Sequence, residues 1–173
     1  MILLMRRRVK MKKLLVSLLA VLMVLSLAAC GGNSNNGGNV EGDLPTLMTE
    51  LYAGINEEDL PMLGQMAIED AETFAWIIGA QEGFVLEGVK EAYVSEPMIG
   101  SIAHTVLLVR MEEGADIEAA KTAIKDNVNP RKWVCVGVED EKNVIVDNRG
   151  DLIVLIMENV HAQTIHNNFK NLK

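Results

Sequence analysis

Apolar residues recur with a helical period in four segments of the chain. In the first segment, which follows Asp43, the apolar positions are Leu44, Leu47, Met48, Leu51, Tyr52 and Ile55. Aspartate commonly caps helices, so this pattern predicts an amphipathic helix that begins after Asp43. Comparable spacing predicts further helices over 68–78, over 117–128 after Asp116, and over 162–172.

Short apolar runs without a helical period lie between these segments and predict strands. Valines and Tyr93, set among glycines and charged residues from 83 to 95, suit an edge strand. The run over 105–111 predicts a buried strand, and the runs over 133–138 and 144–146 predict two short ones. Six consecutive apolar residues over 152–157 predict a central strand that is covered on both faces. The polar residues 147–150 predict the turn before that strand.

The mixed order of these elements predicts an α+β fold. We expect a mostly antiparallel sheet of four to five strands that packs against amphipathic helices. The 144 residues from Cys30 onward are enough for one domain with its own core. We therefore expect a single domain over 43–173.

The first 29 residues have the pattern of an export signal. The basic residues at the start are Arg6, Arg7, Arg8, Lys10, Lys12 and Lys13. An apolar stretch over 14–27 and then Ala28 and Ala29 follow, which is typical of a secretory signal peptide. A spanning helix needs about 20 apolar residues, so this shorter stretch favours a cleaved signal over an uncleaved anchor. Translation could start at Met1, Met5 or Met11, and the sequence leaves this open.

The four residues Leu27, Ala28, Ala29 and Cys30 resemble the lipobox of bacterial lipoproteins. The resemblance implies that diacylglycerol is attached to the Cys30 thiol and that the peptide is cut just before Cys30. Two acyl chains suffice for stable anchoring, so we expect membrane lipid at Cys30, on the outer face of the cytoplasmic membrane, and no other cofactor. The glycine- and asparagine-rich residues 31–42 predict a flexible tether of about 20 Å.

The chain after the signal is strongly acidic. Of 16 basic residues six lie in the signal, so ten oppose 24 acids and the net charge is −14. This balance argues against nucleic acid as a partner. Residues 41–91 hold twelve acids and one base, Lys90. Solvated helix faces explain this excess, and docking onto a cationic envelope partner is the alternative.

No motif in the mature chain indicates catalysis or a metal site. Glu96, Ser101 and His104 are residue types of a catalytic triad, but Ser101 lacks the Gly-x-Ser-x-Gly motif. His161 and His166 are five apart, whereas a metal-binding helix places two histidines four apart. We therefore expect neither a catalytic residue nor a metal ligand, and we do not expect an enzyme.

The 96–104 loop is the candidate interaction site. It combines apolar and polar side chains, and the candidate residues are Glu96, Met98, Ile99, Ser101 and His104. Loops of this composition often contact a partner, although packing under neighbouring helices is the alternative. Cys135 lies in an apolar run, which predicts a buried thiol; an intermolecular disulfide or a reactive thiol is the alternative.

Three segments and the lipobox together resemble a known family. The segments are SEPMIGSIAH at 95–104, NPRKWVCV at 129–136 and DNRGD at 147–151. They are similar to small lipoproteins of low-GC Gram-positive bacteria that carry one domain of unknown function, here from about 43 to the end. The resemblance implies an exported, membrane-tethered α+β domain without an established activity.

From these patterns we expect a non-catalytic lipoprotein that docks to another cell-envelope protein. A small extracytoplasmic binding module for a metabolite, a cation or a cell-wall fragment is the alternative. An exposed apolar patch would favour the first, and a pocket would favour the second.

Replacing Cys30 with Ala should abolish labelling by a fatty-acid probe and leave an uncut precursor, because the acceptor thiol is lost. Cells fed a clickable palmitate report the label, and gel mobility reports the cleavage. Cys135→Ala is the matched control and should keep both the label and the mature size. Persistent labelling of the Cys30→Ala chain would contradict the lipoprotein assignment.

Overall fold

The computed structural model describes residues 38–173, so the predicted signal peptide, Cys30 and most of the predicted tether lie outside the described residues. The helices of this part are α1 (Leu44–Leu51), α2 (Ala71–Ile78), α3 (Ile117–Asn127) and α4 (Ala162–Asn171). The strands are β1 (Leu63–Ile68), β2 (Val89–Pro97), β3 (His104–Met111), β4 (Val144–Arg149) and β5 (Leu152–Glu158). None of the described helices is long and apolar enough to cross a bilayer.

The five strands form one antiparallel sheet in the order β1-β2-β3-β5-β4. This arrangement confirms the predicted α+β fold with a mostly antiparallel sheet. The central strand, β3, pairs with β2 on one side and with β5 on the other. β1 and β4 are the two edges.

Helices cover both faces of the sheet, so the domain has two cores. Successive residues of a strand point to opposite faces. Leu107 and Val109 therefore pack in one core with residues of α2 and α3, and Val106 and Leu108 pack in the other with residues of α1 and α4. Every residue of β3 and β5 is buried. The strand predicted over 152–157 is β5, an interior strand that is covered on both faces as expected.

Three of the four described α-helices begin after an aspartate that caps them. The side chains of Asp43, Asp70 and Asp116 accept hydrogen bonds from the backbone N–H three residues ahead, at 2.9, 2.7 and 3.0 Å. Each carboxylate satisfies an N–H that has no partner within its helix. The predicted caps Asp43 and Asp116 are confirmed, whereas Asp70 stands just before a helix that was expected to start at 68.

The segment before α2 differs from the prediction. The sequence patterns predict no strand before the second helix, but Leu63–Ile68 form β1 and pair with β2. Four of the six β1 residues are exposed, so this strand has neither the alternation nor the apolar run that marks a strand in sequence. Because β1 occupies the edge, β2 is an interior strand and the prediction of an edge strand over 83–95 is wrong.

Residues 133–135 form a bend and 136–138 have no regular secondary structure, so the prediction of a strand there is wrong. Their backbone bonds to nearby loops: the Val134 N–H donates to the Gly100 carbonyl at 2.9 Å, and the Val138 N–H donates to the Pro130 carbonyl at 2.8 Å. Cys135 has a φ of 62°, and its side chain is exposed. The prediction that Cys135 is buried is therefore wrong, because the apolar run does not enter the sheet.

The turn between β4 and β5 is shorter than predicted. Arg149 pairs with Leu152, so the turn consists of Gly150 and Asp151, and Asp147 belongs to β4. Gly150 has a φ of 54°, a conformation that glycine adopts without strain in such two-residue hairpins.

Arg110 fixes the start of the described chain against the sheet. Its guanidinium donates to the Val40 carbonyl at 2.7 Å, to the Gly42 carbonyl at 2.8 Å and to Glu91 at 2.9 Å. Val40 is fully buried in the core beside α1 and α4. The contacts of the domain thus include Asn39 and Val40, within the stretch that the sequence assigned to the tether.

Phe169→Ala should lower the free energy of unfolding by about 3–5 kcal/mol, because Phe169 is fully buried between α4 and the sheet and its removal leaves a cavity. Its neighbour Lys170 is exposed, so Lys170→Ala should change the free energy of unfolding by less than about 0.5 kcal/mol. Urea unfolding of both variants tests the assignment. Equal losses would mean that this face of α4 is not part of the core.

Candidate functional site

The predicted interaction loop closes one end of the sheet between β2 and β3. Glu96 is in β2 and His104 is the first residue of β3, so both ends of the loop are fixed by the ladder. Ser101 is exposed, and Met98 and Ile99 are 67% and 58% exposed. The candidate loop therefore presents two apolar side chains to solvent.

The sheet separates the residue types that resembled a triad. Glu96 lies two residues beyond Val94 and so shares its face, which packs against α2 and α3. His104 lies two residues before Val106 and shares the opposite face, which packs against α1 and α4. Glu96 and His104 consequently cannot act together on one substrate atom.

On the α2/α3 face, Glu96 holds Lys132. The two side chains are 2.8 Å apart and largely buried, and the Thr105 hydroxyl also donates to Glu96. The Lys132 ammonium lies 5.4 Å from the centre of the Trp76 ring and 5.2 Å from that of Trp133, a geometry that favours a cation. Burial lowers the pKa of Lys132, and the Glu96 charge opposes that shift.

Exposed apolar residues occur on the segments that this ion pair connects. Trp76 and Val134 are each 68% exposed, and Met98 and Ile99 of the loop are exposed as well. Trp76 contacts the Lys132 ammonium, and Val134 is bonded through its N–H to the loop at Gly100. We call Trp76, Met98, Ile99 and Val134, together with the Glu96–Lys132 pair, the Lys132 surface.

The sequence revealed only part of this surface. Met98 and Ile99 stand out as apolar residues in a loop, but nothing in the sequence brings Trp76 to Lys132, 56 positions away. The low tryptophan content could have pointed to this surface, since the chain has two tryptophans and both lie against the Lys132 ammonium.

On the α1/α4 face, His104 is paired with Tyr52. The Tyr52 hydroxyl is 2.8 Å from His104 Nε2, and the two rings stack with their centres 5.9 Å apart. Burial lowers the pKa of His104 to about 4, and the charge of His161 contributes to the shift. Burial likewise raises the pKa of Tyr52. Both side chains are neutral near pH 7.

Three buried polar atoms on this face have no hydrogen-bond partner among residues 38–173. They are Ser95 Oγ, His104 Nδ1 and His161 Nε2. His161 and His166 are both half-buried, and His166 Nε2 is 2.7 Å from an oxygen of Asp147. In the described part of the chain, no group of three His, Cys, Asp or Glu side chains is placed to hold a metal ion.

Two open cavities flank this end of the domain. One, of about 610 Å³, is lined by Arg131, Trp133, Cys135, Glu139 and Asn159, among others. The other, of about 730 Å³, lies between β1 and the segment that follows α1. Tyr52 lines the second cavity and links it to the His104 pair.

Comparisons of this chain with family models, with curated proteins and with solved structures each gave no match. The resemblance to small Gram-positive lipoproteins therefore stays a prediction from the residues.

Lowering the pH from 7 to about 4.5 should destabilise the domain through His104. The folded state keeps His104 neutral down to about pH 4, whereas the unfolded chain binds a proton below about 6.5. Stability is thus complete above about pH 6.5 and falls as the pH drops towards 4, by up to about 3 kcal/mol.

Urea unfolding at both pH values checks this expectation. His104→Gln keeps a polar partner for Tyr52 but cannot titrate, so it should lose less stability than wild type over that range. Asn167→Gln, an exposed and non-titrating change, is the control and should keep the wild-type pH dependence. Identical pH dependence in wild type and His104→Gln would contradict the assignment.

Proposed function

We propose that this chain is a non-catalytic, lipid-anchored lipoprotein of the bacterial envelope whose domain docks to another envelope protein through the Lys132 surface. The observation that carries the proposal is that four apolar side chains, each more than half exposed, belong to segments that the buried Glu96–Lys132 pair, the Lys132–Trp76 contact and the Val134–Gly100 hydrogen bond connect. Exposed apolar patches of this kind typically mark contact sites.

The ion pair supports a binding role because it holds a cation against the exposed Trp76 ring. Lys132 is paired with Glu96 in β2, and its ammonium contacts Trp76 from α2. Tryptophan is enriched at the centres of protein interfaces, and methionine adapts to partners of different shape. An exposed tryptophan that contacts a buried cation, together with the exposed Met98 of the loop, therefore suits recognition of a protein surface.

The polar groups at this end of the sheet also support a non-catalytic role. Glu96 is paired with Lys132, and His104 is paired with Tyr52 on the other face. A nucleophile, a base and an orienting group would have to converge on one point for acyl transfer. The two pairs instead hold the two sides of the loop in place.

The location rests on the resemblance of Leu27, Ala28, Ala29 and Cys30 to a lipobox. Diacylglycerol on Cys30 anchors the chain to the outer face of the cytoplasmic membrane, and the tether places the domain near that surface. The net charge of −14 after the signal supports a cationic protein partner and disfavours nucleic acid.

The second candidate function is a small-molecule binding module. The cavity of about 610 Å³ has the size of a ligand site and combines Arg131, Glu139 and Asn159 with the Trp133 ring. The Trp133 Nε1 is buried and has no partner in the described chain, so it is a donor that a ligand could use. A metabolite or a cell-wall fragment fits this polar lining.

A photocrosslinker in place of Ile99, in the full-length lipoprotein in its native membrane, tests the docking proposal. We expect one discrete adduct, because Ile99 lies on the contact surface. Trp76→Ser removes an exposed side chain without opening the core and should reduce that adduct about tenfold. A crosslinker at Val85, which is 55% exposed elsewhere on the domain, is the matched control and should give no adduct.

Two results would count against docking. Equal adducts from Ile99 and Val85 would indicate random collisions in the membrane. A thermal shift with a metabolite or wall fragment, in a chain that gives no Ile99 adduct, would favour the binding module; saturation at a hundred times Kd adds about 2.7 kcal/mol.

A further inference from the structure

The outer edge of β1 has no strand partner among residues 38–173. The Met98 N–H donates to the Met62 carbonyl at 2.9 Å, which makes 62 and 98 a hydrogen-bonded pair. Such pairs occur at every second position of an antiparallel ladder, so Gly64 and Met66 bond to β2. Leu63, Gln65 and Ala67 therefore direct their N–H and C=O groups outward.

Pro97 supports this assignment independently. It faces Leu63 in the register and has no N–H to donate. A proline fits opposite Leu63 only because that pair exchanges no hydrogen bonds within the β1–β2 ladder.

The edge of β1 lacks the devices that usually protect an edge strand. Its six residues, Leu-Gly-Gln-Met-Ala-Ile, contain no charge and no proline, and four of them are exposed. The opposite edge, β4, carries two charged residues that are bound by the C-terminal segment. Asp147 contacts His166, and Arg149 donates to the Leu172 carbonyl. Charged side chains thus protect the β4 edge of the sheet, whereas the β1 edge is open to pairing with another strand.

The cavity of about 730 Å³ runs beside this open edge. Its lining includes Tyr52, Ile55, Leu60, Pro61, Leu63 and Gln65. In an added strand every second side chain would point to this face of the sheet. The cavity therefore offers room for apolar side chains of a strand bound along β1.

Acidic residues flank the open edge on both sides. They are Glu57, Glu58 and Asp59 before β1, and Glu69, Asp70 and Glu72 after it, and no base occurs between 51 and 89. Within the described residues none of the six is in an ion pair. This charge complements a basic segment and opposes a second copy, whose own acids would meet these.

We propose that β1 accepts an extended, basic segment of the envelope partner as a sixth strand of the sheet. The inference rests on the proposed docking function and specifies its contact: backbone bonds to Leu63, Gln65 and Ala67, apolar side chains in the cavity, and lysines or arginines against the flanking acids.

The probe is a short capped peptide of alternating lysine and valine, added to the full-length lipoprotein in nanodiscs. Amide hydrogen exchange by NMR should slow at Leu63, Gln65 and Ala67, and change little at Gly64 and Met66, whose N–H groups already bond to β2. This alternation distinguishes strand addition from binding in the cavity alone. The matched peptide of alternating glutamate and valine should give no protection.

Gln65→Pro removes one outward N–H at an edge position where proline is tolerated. It should weaken peptide binding about tenfold, whereas Gln65→Thr, which keeps the N–H, should bind as wild type does. The exchange pattern of the wild-type chain decides the matter even if the proline variant does not fold.

The inference is overturned if the basic peptide protects none of the outward amides of Leu63, Gln65 and Ala67, or if the acidic peptide protects these amides equally. It is also overturned if the same amides become protected without peptide as the protein concentration rises, because that result would indicate pairing with a second copy. If Gln65→Pro also leaves the Ile99 adduct in native membranes undiminished, docking stands and strand addition fails. If wild type gives no Ile99 adduct, the docking function itself fails.

Discussion

The burial of β3 and β5 on both faces is the constraint on which the rest of the domain depends. A strand that is covered on one side only can place polar residues at every second position, but these two strands bury all their residues. Polar groups are consequently confined to the ends of the strands. At the loop end, adjacent residues point to opposite faces, so Glu96 and Thr105 go to one core and Ser95 and His104 go to the other.

The polar side chains that enter each core must therefore be paired or remain uncharged. A buried charge is costly unless it is paired, and Lys132 supplies the pairing for Glu96 together with two aromatic rings. On the other face the imidazole of His104 stays uncharged and bonds to Tyr52. The loop between β2 and β3 is held from both sides, and its apolar residues have no core position left to fill. Their exposure is thus a consequence of the packing beneath them.

Much of the fold could be predicted from the sequence where one local pattern was decisive. The helix after Asp43, the helix after Asp116 and the central strand over 152–157 follow from period, caps and an unbroken apolar run. β1 could not be predicted, because an exposed edge strand is stabilised by its ladder with β2 and leaves no pattern of burial. Cys135 was misplaced for the converse reason: an apolar run predicts a strand, but this one turns away at a residue with positive φ. The site was visible only as Met98 and Ile99, since the contact of Trp76 with Lys132 depends on the packing of distant segments.

The two edges of the sheet show how a domain can keep one strand open. An uncharged edge invites pairing with any extended chain, including other copies of itself. Acids before and after β1 oppose such self-association, because an antiparallel pairing of two copies would set the acids of each against those of the other. The same acids attract a basic chain. Acids beside an edge strand can therefore select a basic strand over a second copy, a selectivity that the strand would otherwise obtain from a charge of its own. The backbone groups of Leu63, Gln65 and Ala67 then remain free to pair with another strand.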